Sequence, residues 1–409
     1  MLHILHTSDW HLGRQLYGQN RHAEFQAFLQ WLQQTMQAQH TDVLLIAGDV
    51  FDTITPNHAA QELYYQFLAH CAAENLCQHI VIIGGNHDSA SFLNAPKSLL
   101  SALNVTVIGA ATEHLEDEVL VLRHTDHTPM AIVCAVPYLR DRDVRLNLEN
   151  QSIDNKQQAL LQGIRQHYQN IYLHAQNIRE QLAADIPIIA MGHLFTQGGV
   201  TIDADGVREL YVGTLAHIGV DVFAGFDYVA LGHLHVPQTV AKTEHIRYCG
   251  SPIAMGFGEA GQQKQVVSVT FTGRSPQIHC IDIPVFHVLK RITGNEASLR
   301  QQLQYLIAQA QPIYIEAVYQ GNEMVADLSQ QLHDLVKNSV VTILRVHNRQ
   351  FIHQVLPHQT EVYALPDLTP EEVFDACLQQ HDIADTEKTA LRLSHQQVLQ
   401  QIQQQDADS

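Results

Sequence analysis

Five aliphatic runs of strand length break off in the same way: each meets a glycine or serine and then, within a few residues, Asp, Asn or His. "HILHTSDWH" leads to Asp9 and His11, "VLLIAGDVFD" to Asp49 and Asp52, and "IVIIGGNHD" to Asn86, His87 and Asp88. "IPIIAMGH" leads to His193, and "YVALGHLH" to His233 and His235. Runs that are apolar on both faces read as central strands of a covered sheet, which predicts an α/β class. Functional loops in such folds gather at the carboxyl ends of the strands. The five clusters are therefore expected to meet at one edge.

Helical spacing fills the intervals. Residues 21–39 place Phe25, Phe28, Leu29, Leu32 and Met36 on one face, and residues 58–75 do so with Leu63, Phe67 and Leu68. Residues 155–184 are Gln-rich and predict a long helix. "SFLNAPKSLLSAL" is short and apolar, either core-facing or a dimer contact. Near residues 275–285 the period changes. "FHVLKRITG", "PIYIEAVYQ" and "VVTILRVHN" alternate as half-buried strands do, with two helical stretches between them. "LPDLTPEEVFDACLQQH" opens a helix with Thr369 as N-cap and Pro370 at its first position. Leu391, Val398 and Ile402 share one side of a further helix. The expected organisation is an α/β domain over residues 1–278, a small α+β domain over 279–362 and C-terminal helices over 363–409.

No apolar stretch approaches the ~20 residues needed to span a bilayer. The N-terminus reads as a strand that starts at once rather than as a signal peptide. Six cysteines without a C-x-x-C pair argue against a zinc ribbon and fit a reducing cytoplasm. The formal charge of −19 divides as −11 over residues 1–280, zero over 281–360 and −8 over 361–409. Such a chain does not bind nucleic acid strongly through its own field. Work on phosphates requires positive charge imported with metal ions or a partner.

The side chains offer a place for metal. Asp9-x-His11 and His233-x-His235 are i, i+2 pairs, and in an extended segment both members point the same way. Asp49 can bridge two ions through its two oxygens, Asn86 offers a neutral oxygen, and His193 adds a nitrogen. The candidate ligands are Asp9, His11, Asp49, Asn86, His193, His233 and His235. Mixed oxygen and nitrogen donors without thiolate suit manganese, iron or zinc and disfavour a structural zinc site. Two ions ~3.5–4 Å apart clamp a phosphate and generate hydroxide near neutral pH. His87, beside Asn86, sits where a general acid for the leaving oxygen belongs. Asp88 is placed to hold the His87 imidazole and raise its pKa. Asp52 reads as a turn or supporting residue. One Gly-Asp or Gly-Asn-His-Asp cluster alone reads as a turn; five after five strands do not.

In this order "DWH", "GDVFD", "GNHD", "GHLF" and "GHLH" resemble the motifs of calcineurin-like metallophosphoesterases, over roughly residues 1–275. The chain is more specifically similar to the nuclease subunits of bacterial DNA-repair complexes. The resemblance implies a four-layer core of two sheets flanked by helices, with a DNA-facing cap domain. It implies a di-manganese site in which Asp9, His11, Asp49 and His235 hold one ion and Asp49, Asn86, His193 and His233 the other. His87 is then the catalytic histidine. It implies an ATPase partner, docked on residues 363–409, and a homodimer within a heterotetramer, with residues 21–39 and 91–103 as candidate dimer faces. The implied activity is 3′–5′ exonuclease on duplex ends and endonuclease on single strands and hairpins. Archaeal and eukaryotic relatives often carry histidine where this chain has Asp52. The Arg-Gly and Glu that protein phosphatases of the superfamily carry in the second and third motifs are missing from "GDVFDT" and "GNHD".

Candidate DNA contacts are Lys290, Arg291, Arg345 and Arg349 in the segment of zero net charge, and Arg140, Arg142 and Arg145 in "PYLRDRDVRL". Alternating charge of the latter kind is more often a solvated loop. Arg14 either contacts a phosphate or pairs with an acid. Two other classes stay open. A small-molecule phosphodiesterase or phosphatase would use the same metals without needing a second domain. A non-catalytic DNA-tethering scaffold would not need a complete ligand set.

Overall fold

The computed structural model describes residues 1–144, 153–182, 184–196, 199, 218–321, 325 and 327–348. Arg145, Arg349 and the expected C-terminal helices over 363–409 lie outside the described residues. The chain forms two compact units, Met1–Lys290 and Arg291–Ser409.

The first unit opens with β1 (Leu2–Thr7), α1 (His22–Ala38), β2 (Val43–Ala47), α2 (His58–Ala73), β3 (His79–Ile83), short α3 (Ala90–Asn94) and α4 (Lys97–Ser101), and β4 (Val105–Ile108). There follow β5 (Val119–Arg123), β6 (Pro129–Ala135), α5 (Asp141–Val144), α6 (Ile153–Leu182), β7 (Ile188–His193), β8 (Tyr228–Gly232), β9 (Gln238–Val240) and β10 (Thr243–Tyr248). β11 (Gln265–Thr272) and β12 (Ser275–Asp282) complete it. One six-stranded sheet has the order β12-β11-β1-β2-β3-β4, the other β9-β10-β8-β7-β6-β5. β1 to β4 run parallel, as do β6, β7, β8 and β10, so their carboxyl ends line up.

Strand alternation explains the unbroken apolar runs. Val43, Leu45 and Ala47 of β2 share a core with Val133, Ile189, Met191 and Ala230 of the other sheet. Leu44 and Ile46, one residue out of phase, join Phe25, Phe28, Leu32, Tyr64 and Phe67 of α1 and α2. Ile188, Ala190, Val229 and Leu231 likewise pack with Tyr168, Ile171 and Ala175 of α6. Helix, sheet, sheet and helix make the four layers that the resemblance implies. Burying a large apolar side chain contributes about 1.5–3 kcal/mol, and here both faces of each central strand do so.

The layers converge at the carboxyl ends of β2 and β8. A Cβ on Gly232 would overlap the Ala47 carbonyl and come 2.9 Å from His193 Nδ1. Only glycine lets the two sheets close at this point. Trp10 anchors the first ligand loop from the other side. Its ring meets Phe28 and Phe67 edge-on at 5.9 and 5.3 Å, and its Nε1–H donates to Thr7 Oγ1 at 2.9 Å.

β12 pairs with β11 along its whole length, from Gln265↔Asp282 to Thr272↔Ser275. The strand on which the change of period falls is therefore an edge of the first sheet, and the first unit continues to Lys290. β13 (Val288–Gly294), α7 (Glu296–Ala308), β14 (Ile313–Tyr319), α8 (Leu328–Val336) and β15 (Val341–Asn348) follow in the expected alternation. They build a three-stranded sheet, β13-β14-β15. Asn295 caps α7 by accepting from the Ser298 N–H at 3.0 Å. Leu299, Leu303, Leu306, Leu328, Leu332 and Val336 bury the inner faces of the two helices. Among the described residues no helix is long and apolar enough to cross a membrane.

Candidate metal centre

The loop after β1 is not extended. Asp9 and His11 have φ of +52° and +47°, and Asp49 and His233 have +48° and +99°. Such left-handed residues cost of order 1–3 kcal/mol each and persist only where the surroundings enforce them. Here two loops hold each other. Asp9 N–H donates to the Gly48 carbonyl and His11 N–H to the Asp49 carbonyl, both at 3.0 Å, and Leu12 N–H to the Val50 carbonyl at 2.9 Å. The His233 N–H donates to Asp9 Oδ1 at 2.9 Å, tying in the loop after β8.

These loops bring six of the seven expected ligands into two converging sets, Asp9–His11–His235 and Asp49–His193–His233. His11 Nε2 lies 3.1 Å from His235 Nε2 and 3.6 Å from Asp49 Oδ2. His193 Nε2 lies 3.3 Å from the same Asp49 oxygen. Asn86 joins the second set, with Oδ1 3.0 Å from His193 Nε2 and 2.9 Å from His233 Nδ1. Asp49 stands between the two. The i, i+2 argument thus needs correction. A left-handed turn, not an extended segment, brings Asp9 and His11 together. His233 and His235 enter different sets, the division that the resemblance implies.

Asp88 also differs from expectation. Its carboxylate accepts the N–H groups of Val50, Phe51 and Gly85 at 3.1, 3.0 and 2.9 Å, locking the two ligand loops together. Burial, then the charge of Asp49, pushes it up to about 6, against those three N–H groups. The His87 imidazole leans instead on a backbone group: Nδ1 lies 2.8 Å from the Asp52 carbonyl. Its backbone N–H donates to Asp49 Oδ1 at 2.8 Å. Asp52 uses its side chain elsewhere, 3.3 Å from His11 Nδ1 and accepting from Arg14 Nη1 at 3.0 Å. Arg14 thus pairs with an acid. Burial would raise the Asp52 carboxyl, but His11 and Arg14 outweigh it and bring it down to about 2. Gly85 leaves space for this packing, since a Cβ there would overlap the Asp49 carboxylate.

The donor set fits metal. His193 Nδ1 is 2.9 Å from the Ala47 carbonyl, so that nitrogen must carry the proton. In the neutral ring Nε2 is then a lone pair facing two oxygens, of Asn86 and Asp49. Three acceptors pointed at one another require a cation between them. Without metal a proton takes that role. Burial would lower His193, but the charge and hydrogen bond of Asp49 outweigh it and raise the ring to about 9. Burial and the neighbouring His193 hold His233 down at about 3. For Asp49, burial pushes up, but His193, His11 and His87 together bring it well below the usual carboxylate range.

A pH dependence follows. The His193 pKa in the folded, metal-free chain, about 9, exceeds its ordinary 6.5. Its contribution to stability is fully present below 6.5 and is lost as pH rises through 9. Chelator-stripped protein should lose melting temperature over that window, and saturating metal should suppress the loss by replacing the proton. Melting curves with and without metal between these pH values check this; parallel curves would refute it.

Sequence reasoning missed Glu259, Lys264 and Ser251. Glu259 Oε1 lies 3.3 Å from His235 Nδ1, and both Glu259 and Lys264 are buried. A lone Glu and Lys in the apolar stretch "SPIAMGFGEAGQQKQ" are the only signal they leave.

The expected DNA contacts fall in several places. Arg140 and Arg142 flank the start of α5, with Arg142 exposed and 3.5 Å from Asp143. In the second unit Arg291 Nε bonds the buried Glu316 carboxylate, with Arg345 Nη1 at 3.8 Å and His347 Nε2 at 3.5 Å from it. Lys290 closes the first unit and is exposed.

Comparison with known proteins gives the family. The calcineurin-like phosphoesterase family matches residues 2–237, and the family described as Type 5 capsule protein repressor C-terminal domain matches residues 285–382. The SbcD subunit of the SbcCD nuclease of Escherichia coli (strain K12) is 36% identical over 395 residues, 96% of this chain and 96% of that protein. The same-named subunits of Rhodobacter capsulatus and Bacillus subtilis (strain 168) are 35% identical over 68% of each chain and 33% over 66% of each. A likeness that runs the length of the chain, and not only through its metal loops, means that this chain belongs to the calcineurin-like phosphoesterase family and, within it, to the kin of the SbcD nuclease subunits.

Proposed function

We propose that the chain is the nuclease subunit of an SbcC-type ATPase complex and cuts DNA with two manganese ions. The observation that supports this best is the convergence of both donor sets on one shared carboxylate, Asp49. Asp9, His11, Asp49 and His235 would hold one ion, and Asp49, Asn86, His193 and His233 the other. When bound, the ions supply Lewis acidity, a nucleophile at neutral pH and about four positive charges. The last matters in a region carrying −11.

The chain's own groups orient the substrate and handle the proton. His87 is fixed through Nδ1 on the Asp52 carbonyl, which leaves Nε2 to stabilise or protonate the departing 3′-oxygen. Asp88 positions both ligand loops through their backbone and so supports catalysis indirectly. Lys290, Arg291 and Arg345 offer contacts to a DNA backbone, with Arg140 and Arg142 as a second set and Arg14 committed to Asp52. In this reading residues 279–362 form the DNA-facing cap and residues 363–409 dock the ATPase. The chain acts in the cytoplasm as a homodimer within a heterotetramer, as a 3′–5′ exonuclease on duplex ends and an endonuclease on single strands and hairpins, in repair and recombination.

The test compares full-length chain with a chain ending at residue 365. Both are given manganese and end-labelled duplex, single-stranded and hairpin DNA, with bis-p-nitrophenyl phosphate in parallel. Both forms should cut short DNA, and only the full chain should co-purify with the ATPase. Turnover of the small ester without DNA cleavage would favour a small-molecule phosphodiesterase. Partner binding by the shortened chain would refute the docking assignment.

A further inference from the structure

We infer that His235 and His11 are each backed by a cation–carboxylate pair, Lys264–Glu259 and Arg14–Asp52, which make the Asp9–His11–His235 corner the tighter of the two metal corners. The inference rests on the dimetal reading above.

The first relay is closed and buried. Glu259 turns Oε1 to His235 Nδ1 at 3.3 Å. Its Oε2 accepts from Lys264 Nζ, and from Ser251 Oγ and the Met255 N–H at 3.2 Å each. Lys264 Nζ also donates to the His235 carbonyl and to Ser251 Oγ, both at 3.0 Å. One lysine therefore holds the backbone of His235 and the carboxylate behind its ring. An ionised carboxylate only accepts, so Nδ1 must carry the proton and Nε2 becomes the donor to metal. A buried ion pair contributes little net stability, so stabilising the fold does not account for it.

The second relay has the same kinds of members but rests on an ion-pair distance alone, since His11 Nδ1 makes no hydrogen bond. His11 Nδ1 faces Asp52 Oδ1 at 3.3 Å, and Arg14 Nη1 donates to that oxygen at 3.0 Å. His11 Nε2 is then turned toward His235 Nε2, 3.1 Å away. Two lone pairs at that distance define one side of a cation site. In the other corner His193 leans on a neutral carbonyl, that of Ala47, and His233 and Asn86 are only partly buried. An anionic carboxylate behind an imidazole strengthens it as a ligand more than a neutral carbonyl does.

The experiment titrates chelator-stripped, full-length protein with Mn2+, reading free Mn2+ by electron paramagnetic resonance. Wild type should bind two ions in a tighter and a weaker class. Glu259→Gln keeps the shape and removes the charge, and should weaken the tighter class by about 10–100-fold while sparing the other. Asp52→Asn, at a side chain 24% exposed, should weaken the same class. In chelator-stripped protein, imidazole 15N spectra of the neutral ring should show His235 protonated at Nδ1 in wild type and a mixed tautomer in Glu259→Gln. Unchanged affinity in either folded variant, or equal weakening of both classes, would overturn the inference. If Glu259→Gln does not fold, Asp52→Asn decides alone. A wild type that binds fewer than two ions would instead overturn the dimetal reading.

Discussion

Asp49→Asn should empty both metal corners at once and lower DNA cleavage by at least about a thousandfold. Asp49 Oδ2 lies near both sets, 3.6 Å from His11 Nε2 and 3.3 Å from His193 Nε2. Its charge also offsets the histidines around it. Asparagine keeps the shape and tolerates the left-handed backbone, φ +48°, better than other residues. It can still accept the His87 N–H that Asp49 Oδ1 takes at 2.8 Å. The fold should therefore survive while the bridge is lost. Metal stabilisation of transition-state charge amounts to several kcal/mol, and each 1.36 kcal/mol is about tenfold in rate. Metal content after dialysis, with cleavage of labelled duplex, measures both effects. A folded variant that retains two ions and a tenth of the activity would show that Asp49 does not bridge.

What could be read in the sequence was whatever repeats. β2, β3, β7 and β8 were visible because both faces of each are covered, so their apolar runs are unbroken. The ligands stood out because each follows such a run. Hidden features depend on contacts distant in sequence or on backbone angles. Nothing in Asp9-Trp10-His11 announces two left-handed residues, since the backbone of the β2 loop enforces them. His233 and His235 look like one pair, yet a φ of +99° at His233 helps send the two rings to different corners. Asp88 beside His87 suggested a hydrogen-bonded pair, but three unsatisfied N–H groups from two loops compete for that carboxylate and take it. The boundary expected near residues 275–285 falls on β12, which is an edge strand of the first sheet, and its half-exposed residues carry no unbroken apolar run.

His87→Ala should separate chemistry from metal binding. His87 belongs to neither of the two ligand sets above; it forms a third cluster of potential ligands with His11 and Asp52. Removing it should leave both manganese ions bound and reduce DNA cleavage by about 10²–10⁴-fold, the range for a lost general acid. His87→Gln should lose as much, since an amide can hydrogen-bond the Asp52 carbonyl but cannot deliver a proton. The leaving group provides the sharper comparison. A deoxyribose 3′-oxygen departs poorly without a proton, whereas p-nitrophenolate departs as a stable anion. If His87 protonates the leaving oxygen, the variant should retain far more activity on bis-p-nitrophenyl phosphate than on DNA. Equal losses on both would mean that the ring stabilises the phosphate rather than the leaving group, and unchanged cleavage of DNA would remove His87 from the chemistry altogether.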